Sequence, residues 1–319
     1  MASDELAKIF LRLKKEKYKI FGPKKEDGEI KILELESEPD AELFQRISDR
    51  PWKYFFTPTR EILYKYEGSR PKTFSEKQEK TALFGMSIFD CKALELYDRV
   101  FRDDFYYGER RKNILIVGFS PRSLAGHKTI FFELKKNILE SAVFDIFFER
   151  AGGHYNFYAR GKAGEAVLKS CGIRHYKKVD YKKRENDKSV AAIKAAVENS
   201  KESKLWNELG KICLACGKCA IACPTCYCFD LESKIGPSLE TERCSGNCFY
   251  DDFTRIAGGH KFLNNPKEKI FFWYFHKFVR IPHQYGLPGC VDCGRCTAVC
   301  PVGIDIGKNI ERLLKETKK

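Results

Sequence analysis

Two stretches of this 319-residue chain repeat one arrangement of cysteine. Cys213, Cys216, Cys219 and Cys223 are followed by Pro224; Cys290, Cys293, Cys296 and Cys300 are followed by Pro301. Both runs read C-x2-C-x2-C-x3-C-P. Three thiolates this close wrap three irons of a cubane, and the fourth cysteine of such a run reaches a neighbouring cubane. The runs therefore predict two [4Fe-4S] clusters. One takes Cys213, Cys216, Cys219 and Cys300; the other takes Cys290, Cys293, Cys296 and Cys223. Swapped fourth ligands keep the two close together, which suits one-electron hopping. Gly217 and Gly294 let each loop turn without a Cβ clash. The fourth cysteine is expected to open a helix, with Pro224 and Pro301 at a first helical position that needs no N–H. Zinc is the alternative for paired C-x-x-C groups. The four-cysteine run, duplicated with both prolines, is the more specific signal.

Cys226, Cys228, Cys244 and Cys248 form C-x-C-x15-C-x3-C just beyond the first run. They can hold a further metal, or pack as buried thiols near the clusters; the spacing fits no standard site. Cys91 and Cys171 read as ordinary thiols. His260, His276 and His283 read as hydrogen-bonded structural residues rather than ligands. The aromatic run from Phe271 to Phe275 can shield a cluster, but core packing accounts for it too. The chain lacks G-x-G-x-x-G, a P-loop, H-E-x-x-H and G-x-S-x-G. Gly126 to Thr129 has only a superficial likeness to a phosphate loop, interrupted by His127. No catalytic residue is assigned, and no substrate chemistry of the chain's own is expected.

The elements that position these cysteines follow from periodicity. Residues 1–172 are expected to form a mixed α/β domain, 173–204 a basic helical connector, and 205–319 an α-helical ferredoxin domain; the fold class is α+β. In the first, Leu6, Ile9, Phe10 and Leu13 recur at helical spacing. Trp52–Phe56, Thr81–Gly85, Val143–Phe148 and His154–Tyr158 read as strands, and Asn113–Gly118 as a strand buried on both faces. Asp90 can cap a helix through Leu94, Tyr97 and Phe101, and Ala163–Ser170 reads as another helix. Val190, Ile193 and Val197 mark a helix in the connector. Asp251–Ala257 and Phe271–Val279 are helix-compatible, and Asp305 can cap a helix through Ile306, Ile310, Leu313 and Leu314.

Composition bounds the setting. No run approaches the ~18 apolar residues of a membrane span, and the first residues lack the basic region and apolar core of a signal peptide. A cytoplasmic location is expected, where clustered cysteines bind metal rather than form disulfides. The formal charge is +14, which two clusters lower to roughly +10. Iron–sulfur proteins that bind nucleic acid are an alternative class, with residues 174–204 the natural contact. The lysines are, however, interleaved with acids, and no nucleic-acid motif appears. A solvated face or an acidic partner accounts for the charge equally well.

Beyond the cluster runs, the chain reads Cys223-Pro224-Thr225-Cys226-Tyr227-Cys228-Phe229-Asp230, then Arg255-Ile256-Ala257-Gly258-Gly259-His260-Lys261-Phe262. Upstream stand Phe55-Phe56-Thr57-Pro58-Thr59-Arg60-Glu61 and the segment from Phe84 through Asp90 to Asp98. From about residue 52 to its end, the chain resembles the β subunit of cytosolic sulfhydrogenases (nickel-iron hydrogenase/sulfur reductase) and the related iron–sulfur component of anaerobic sulfite reductase. The resemblance implies an electron-transfer subunit carrying the eight ligands named above. Its partners would be a flavin subunit that handles NAD(P)H, and the nickel-iron large and small hydrogenase subunits. The corresponding component of a sulfite reductase complex is the alternative. Phe89 and Gly118-Phe119-Ser120-Pro121 stand where family members often carry cysteines, so the resemblance does not extend to a cluster on the first domain.

Overall fold

The computed structural model describes residues 2–37, 46–68, 70–74, 78–120, 138–152, 154–182, 188–236 and 239–317. The Gly126–Thr129 run lies outside them. In chain order the strands are β1 (Lys19–Glu26), β2 (Glu29–Glu34), β3 (Arg60–Glu67), β4 (Arg70–Thr73), β5 (Thr81–Ser87), β6 (Ile114–Ser120), β7 (Ile146–Ala151), β8 (His154–Ala159), β9 (Tyr176–Lys178), β10 (Phe229–Ile235) and β11 (Leu239–Ser245). The helices are α1 (Ala2–Lys15), α2 (Ile88–Val100), α3 (Phe105–Lys112), α4 (Gly161–Ser170), α5 (Lys188–Glu198), α6 (Lys204–Ile212), α7 (Lys218–Ile221), α8 (Pro266–Phe275), α9 (Ile281–Tyr285), α10 (Arg295–Ala298) and α11 (Ile306–Glu316). They divide into two compact units. One holds α1–α4 with β1, β2 and β5–β9; the other holds β3, β4, β10, β11 and α5–α11.

The first unit is a mixed α/β layer structure, as its patterning predicts. Its seven-stranded sheet runs β2-β1-β5-β6-β7-β8-β9. The pairs β1–β5, β5–β6 and β6–β7 are parallel. Every residue of β6 is buried, as expected where both faces of a parallel strand are covered. Leu6, Ile9, Phe10 and Leu13 of α1 pack into one core with Ile20, Phe84, Val117 and Phe148. Two local readings are corrected. Trp52–Phe55 forms a 3-10 turn instead of a strand, because buried Asp90 accepts the Trp52 N–H at 3.3 Å and the Phe56 N–H turns back to the Lys53 carbonyl. Helix α2 is capped by Ser87, whose side chain accepts from the Asp90 N–H. Asp90 therefore lies in the first turn, where its carboxylate accepts a hydrogen bond from the Ser87 hydroxyl at 2.5 Å.

The second unit carries the cysteine runs and is mostly helical, with a four-stranded antiparallel sheet, β10-β11-β3-β4. That sheet joins residues 60–73 to residues 229–245, a pairing no local pattern announces. Helix α5, from the basic stretch, packs on α11, so this segment contributes Val190, Ile193 and Val197 to a core. Helices α6 and α8 pack through Trp206, whose ring meets Phe271 and Tyr274 edge-on at 5.2 Å. Asp305 caps α11 as expected, accepting from the N–H groups of Gly307 and Lys308. Asp251–Ala257 does not form the expected helix. It holds a three-residue 3-10 turn at Asp252–Thr254, and the chain then folds back so that Arg255 bridges Lys261. Among the described residues no helix is long and apolar enough to cross a membrane.

Candidate metal centre

The two cysteine runs share one backbone trace. Ala215 and Asp292, each two residues past the first cysteine, take positive φ (48° and 56°). Their N–H groups turn back to the sulfurs of Cys213 and Cys290, each at 3.4 Å. Gly217 and Gly294 follow with φ of 72° and 77° and cap the short helices α7 and α10, which carry Cys219 and Cys296. Non-glycine residues at positive φ cost roughly 1–2 kcal/mol each. Their repetition at matching positions shows that both loops are wound to aim N–H groups at sulfur, an arrangement that stabilises thiolate or cluster charge. The fourth cysteines do not open helices. Helices α7 and α10 end before Cys223 and Cys300, and Pro224 and Pro301 lie in turns. Pro224 and Pro301 thus break the helices off, which suits residues without an N–H to continue them.

The runs cross. One cavity is lined by Cys213, Cys216 and Cys219 of the first run and by Cys296 and Cys300 of the second, together with Phe249, Ile270, Trp273 and Ile304. Its lining contains no carboxylate, so the donor set fits a soft, thiolate-bound iron–sulfur group and not a hard cation. The Ile304 N–H donates to the Cys300 sulfur at 3.3 Å. Electrostatic neighbours trace the other set. Burial pushes the Cys296 thiol up to about 12, with Cys223 and Cys293 acting in the same direction. The Cys290 thiol is raised by burial, opposed by Lys277, and raised further by Cys296 and Cys223. Cys223 belongs to the first run and lies beside cysteines of the second.

The four further cysteines separate three from one. Cys248 lies beside Cys228 and near Cys226, and its thiol is pushed far up by the Cys228 contact and then by burial. Cys244, on β11, has its sulfur among the carboxylates of Glu232 and Glu242. Those carboxylates are held by Arg60 at 3.2 and 3.1 Å and by Lys234 at 2.7 Å. In the first unit, Cys91 donates to the Met86 carbonyl and Cys171 to the Lys8 carbonyl, as ordinary thiols do. His276 stacks on Phe272 with rings 2° from parallel.

Lys277 is the residue that the sequence reading missed. It is 1% exposed, and its ammonium donates to the Cys223 sulfur at 3.1 Å, the Thr225 hydroxyl at 3.0 Å and the Gly289 carbonyl at 3.0 Å. The signal in the sequence is a lysine within the largely apolar and aromatic run from Ile270 to Ile281, which His276 and Arg280 also interrupt.

Residues 212–304, which contain all eight cysteines of the two runs, match the family described as "4Fe-4S dicluster domain". Sulfhydrogenase 2 subunit beta of Pyrococcus furiosus is 27% identical over 335 residues, covering 98% of this chain and 96% of the relative. The likeness drawn from the motifs is thereby borne out over nearly the whole length. No solved structure matches.

Proposed function

We propose that this chain is an iron–sulfur electron-transfer subunit of a multisubunit nickel-iron hydrogenase/sulfur reductase. It relays electrons between the large and small hydrogenase subunits and a flavin subunit that binds NAD(P)H. The observation that carries this reading is the meeting of the runs: Cys296 and Cys300 of the second share a cavity with Cys213, Cys216 and Cys219 of the first, and Cys223 lies beside Cys290 and Cys296. On this reading Cys213, Cys216, Cys219 and Cys300 hold one [4Fe-4S] cluster, and Cys290, Cys293, Cys296 and Cys223 hold the other. Bound there, the clusters supply one-electron carriage.

The protein's own residues do the rest. The Ala215 and Asp292 amides donate to sulfurs of the runs, and Phe249, Ile270 and Trp273 give the first cavity an apolar wall. Cys216 is exposed, next to Leu214 at 64% exposure and Ile221 at 44%. This edge gives electrons a short path through the surface to a docked partner. The length-wide likeness to a sulfhydrogenase β subunit favours the hydrogenase setting over the sulfite reductase one.

The test is purification without oxygen from the native host. The expected result is about eight irons and eight sulfides per chain, with flavin and nickel-iron subunits co-purifying. Four irons or none, or structural zinc, sinks the two-cluster reading. A sirohaem subunit in place of the nickel-iron ones replaces the hydrogenase assignment.

A further inference from the structure

Helix α8 does not run straight into α9. Between them His276–Arg280 forms a π-helical turn, in which the Ile281 N–H reaches back five residues to the His276 carbonyl. Such turns are rare and cluster at functional sites. Pro282, which has no N–H to give an α-helical ladder, follows immediately. Lys277 sits inside this turn with its side chain directed inward. Its three hydrogen bonds all go to acceptors, which matches the three donors of an ammonium group. Among the described residues no carboxylate lies within ion-pair distance of it.

Lys277 ties the end of the first run to the start of the second. Cys223 and Thr225 stand on one side and Gly289, next to Cys290, on the other. Gly289 also donates its N–H to the Lys277 carbonyl at 3.0 Å, and a Cβ there would lie 2.5 Å from that same oxygen. Only glycine permits this approach.

Among the described residues no ammonium bonds a sulfur of the other cysteine set. Lys269 is buried as well, but its ammonium is 2.5 Å from the Asp251 carboxylate and bonds the Phe249 carbonyl. Lys218, which lines the first cavity, is exposed. The first set also reaches solvent at Cys216, whereas Cys223 and Cys290 are buried.

From this asymmetry we infer that Lys277 is a positioning residue that sets the order of the two reduction potentials. Its unneutralised charge raises the potential of the cluster on Cys223, Cys290, Cys293 and Cys296 above that of its neighbour. Burial alone acts the other way, because apolar surroundings disfavour added negative charge. The same surroundings strengthen the pull of an ammonium 3.1 Å from a ligand sulfur, and that pull wins. One electron then passes from the Cys213 site, oxidised by one, to the Cys290 site, reduced by one, with no bond or proton moving. The solvent edge is the entry, and the buried site is where the electron rests.

This inference rests on the two-cluster reading, and the experiment separates the two. Full-length protein is purified anaerobically, its iron and sulfide are counted, and both reduction waves are followed by electron paramagnetic resonance during potentiometric titration. The wave altered in Cys223→Ser is assigned to the buried site. In the wild type this is expected to be the higher wave. Lys277→Gln and Lys277→Met should lower it by at least tenfold in its reduction equilibrium, about 59 mV for one electron, leaving the other wave in place. Lys277→Arg, which keeps the charge, should hold it near the wild-type value.

An unmoved wave in the neutral variants, with iron retained, overturns the inference and leaves the clusters standing. So does an equal drop in Lys277→Arg. Loss of the buried cluster in both neutral variants overturns it too, because Lys277 then holds shape and not potential. A wild-type chain without two clusters defeats the underlying reading instead.

Discussion

At Gly217 and Gly294 the two runs share a backbone conformation and differ in what surrounds it. An added Cβ at Gly294 meets open space, whereas one at Gly217 strikes the side chain of Asn247, which donates to the Gly217 carbonyl at 3.0 Å. Gly294→Ala should therefore cost only the left-handed backbone penalty, about 1–2 kcal/mol. Gly217→Ala should cost more and should displace Asn247. The midpoint for thermal loss of the visible cluster absorbance, compared between the two variants, checks this. His276 gives a prediction in pH. Burial holds its imidazole down to about 4, and Lys277 and Arg280 push in the same direction. Between pH 6.5 and 4 the unfolded chain takes up a proton that the folded chain refuses, so stability falls as pH falls through that window. At full extent the loss is about 3 kcal/mol. His276→Gln should flatten this part of the pH dependence in denaturant midpoints measured from pH 7 to 4.5. A variant as acid-sensitive as the wild type would contradict the assignment.

Among the elements, α6 has the most direct effect on the site, since it ends at Ile212 and Cys213 follows as its cap. Its anchor is Trp206, fully buried, with its indole N–H on the Ser200 carbonyl at 2.6 Å. Trp206→Ala should cost roughly 3–5 kcal/mol, read as a lowered denaturant midpoint and weaker iron retention by the Cys213 set. Trp206→Phe should recover part of the packing but leave the Ser200 carbonyl without that donor. Helix α1 and strand β6 were legible in the sequence because burial of one stripe or of both faces writes itself into periodicity. Trp52–Phe55 was not, because an aromatic run suits a strand as well as a turn, and the deciding partner, Asp90, is far along the chain. The 4Fe-4S character of the two runs was legible from spacing, but the path of the fourth cysteines was not. Lys277 escaped because a lysine in a helical run reads as surface, and the π turn that buries it leaves no periodic trace. Cys244 separates from Cys226, Cys228 and Cys248 because it alone lies on β11 while the other three lie outside the strands, and spacing alone does not give that.

For the molecule as a whole, the two cysteine sets differ in access. Cys216 is open to solvent, whereas Cys223 and Cys290 are buried. A chelator added to the anaerobic protein should therefore remove iron in two phases, with the Cys213 set losing its iron first. Iron counts and the surviving resonance signal, followed together, distinguish this from a single phase or the reverse order. The crossing itself has a mechanical outcome. With clusters held as proposed, each set would join the same two loops, one at residues 213–223 and one at 290–300, and the two would act as rivets through one seam. Losing one rivet would leave the seam closed; losing both would release the two cysteine loops from each other. Sampled during demetallation, cleavage by a broad-specificity protease within residues 213–223 and 290–300 should stay low through the first phase and rise only in the second.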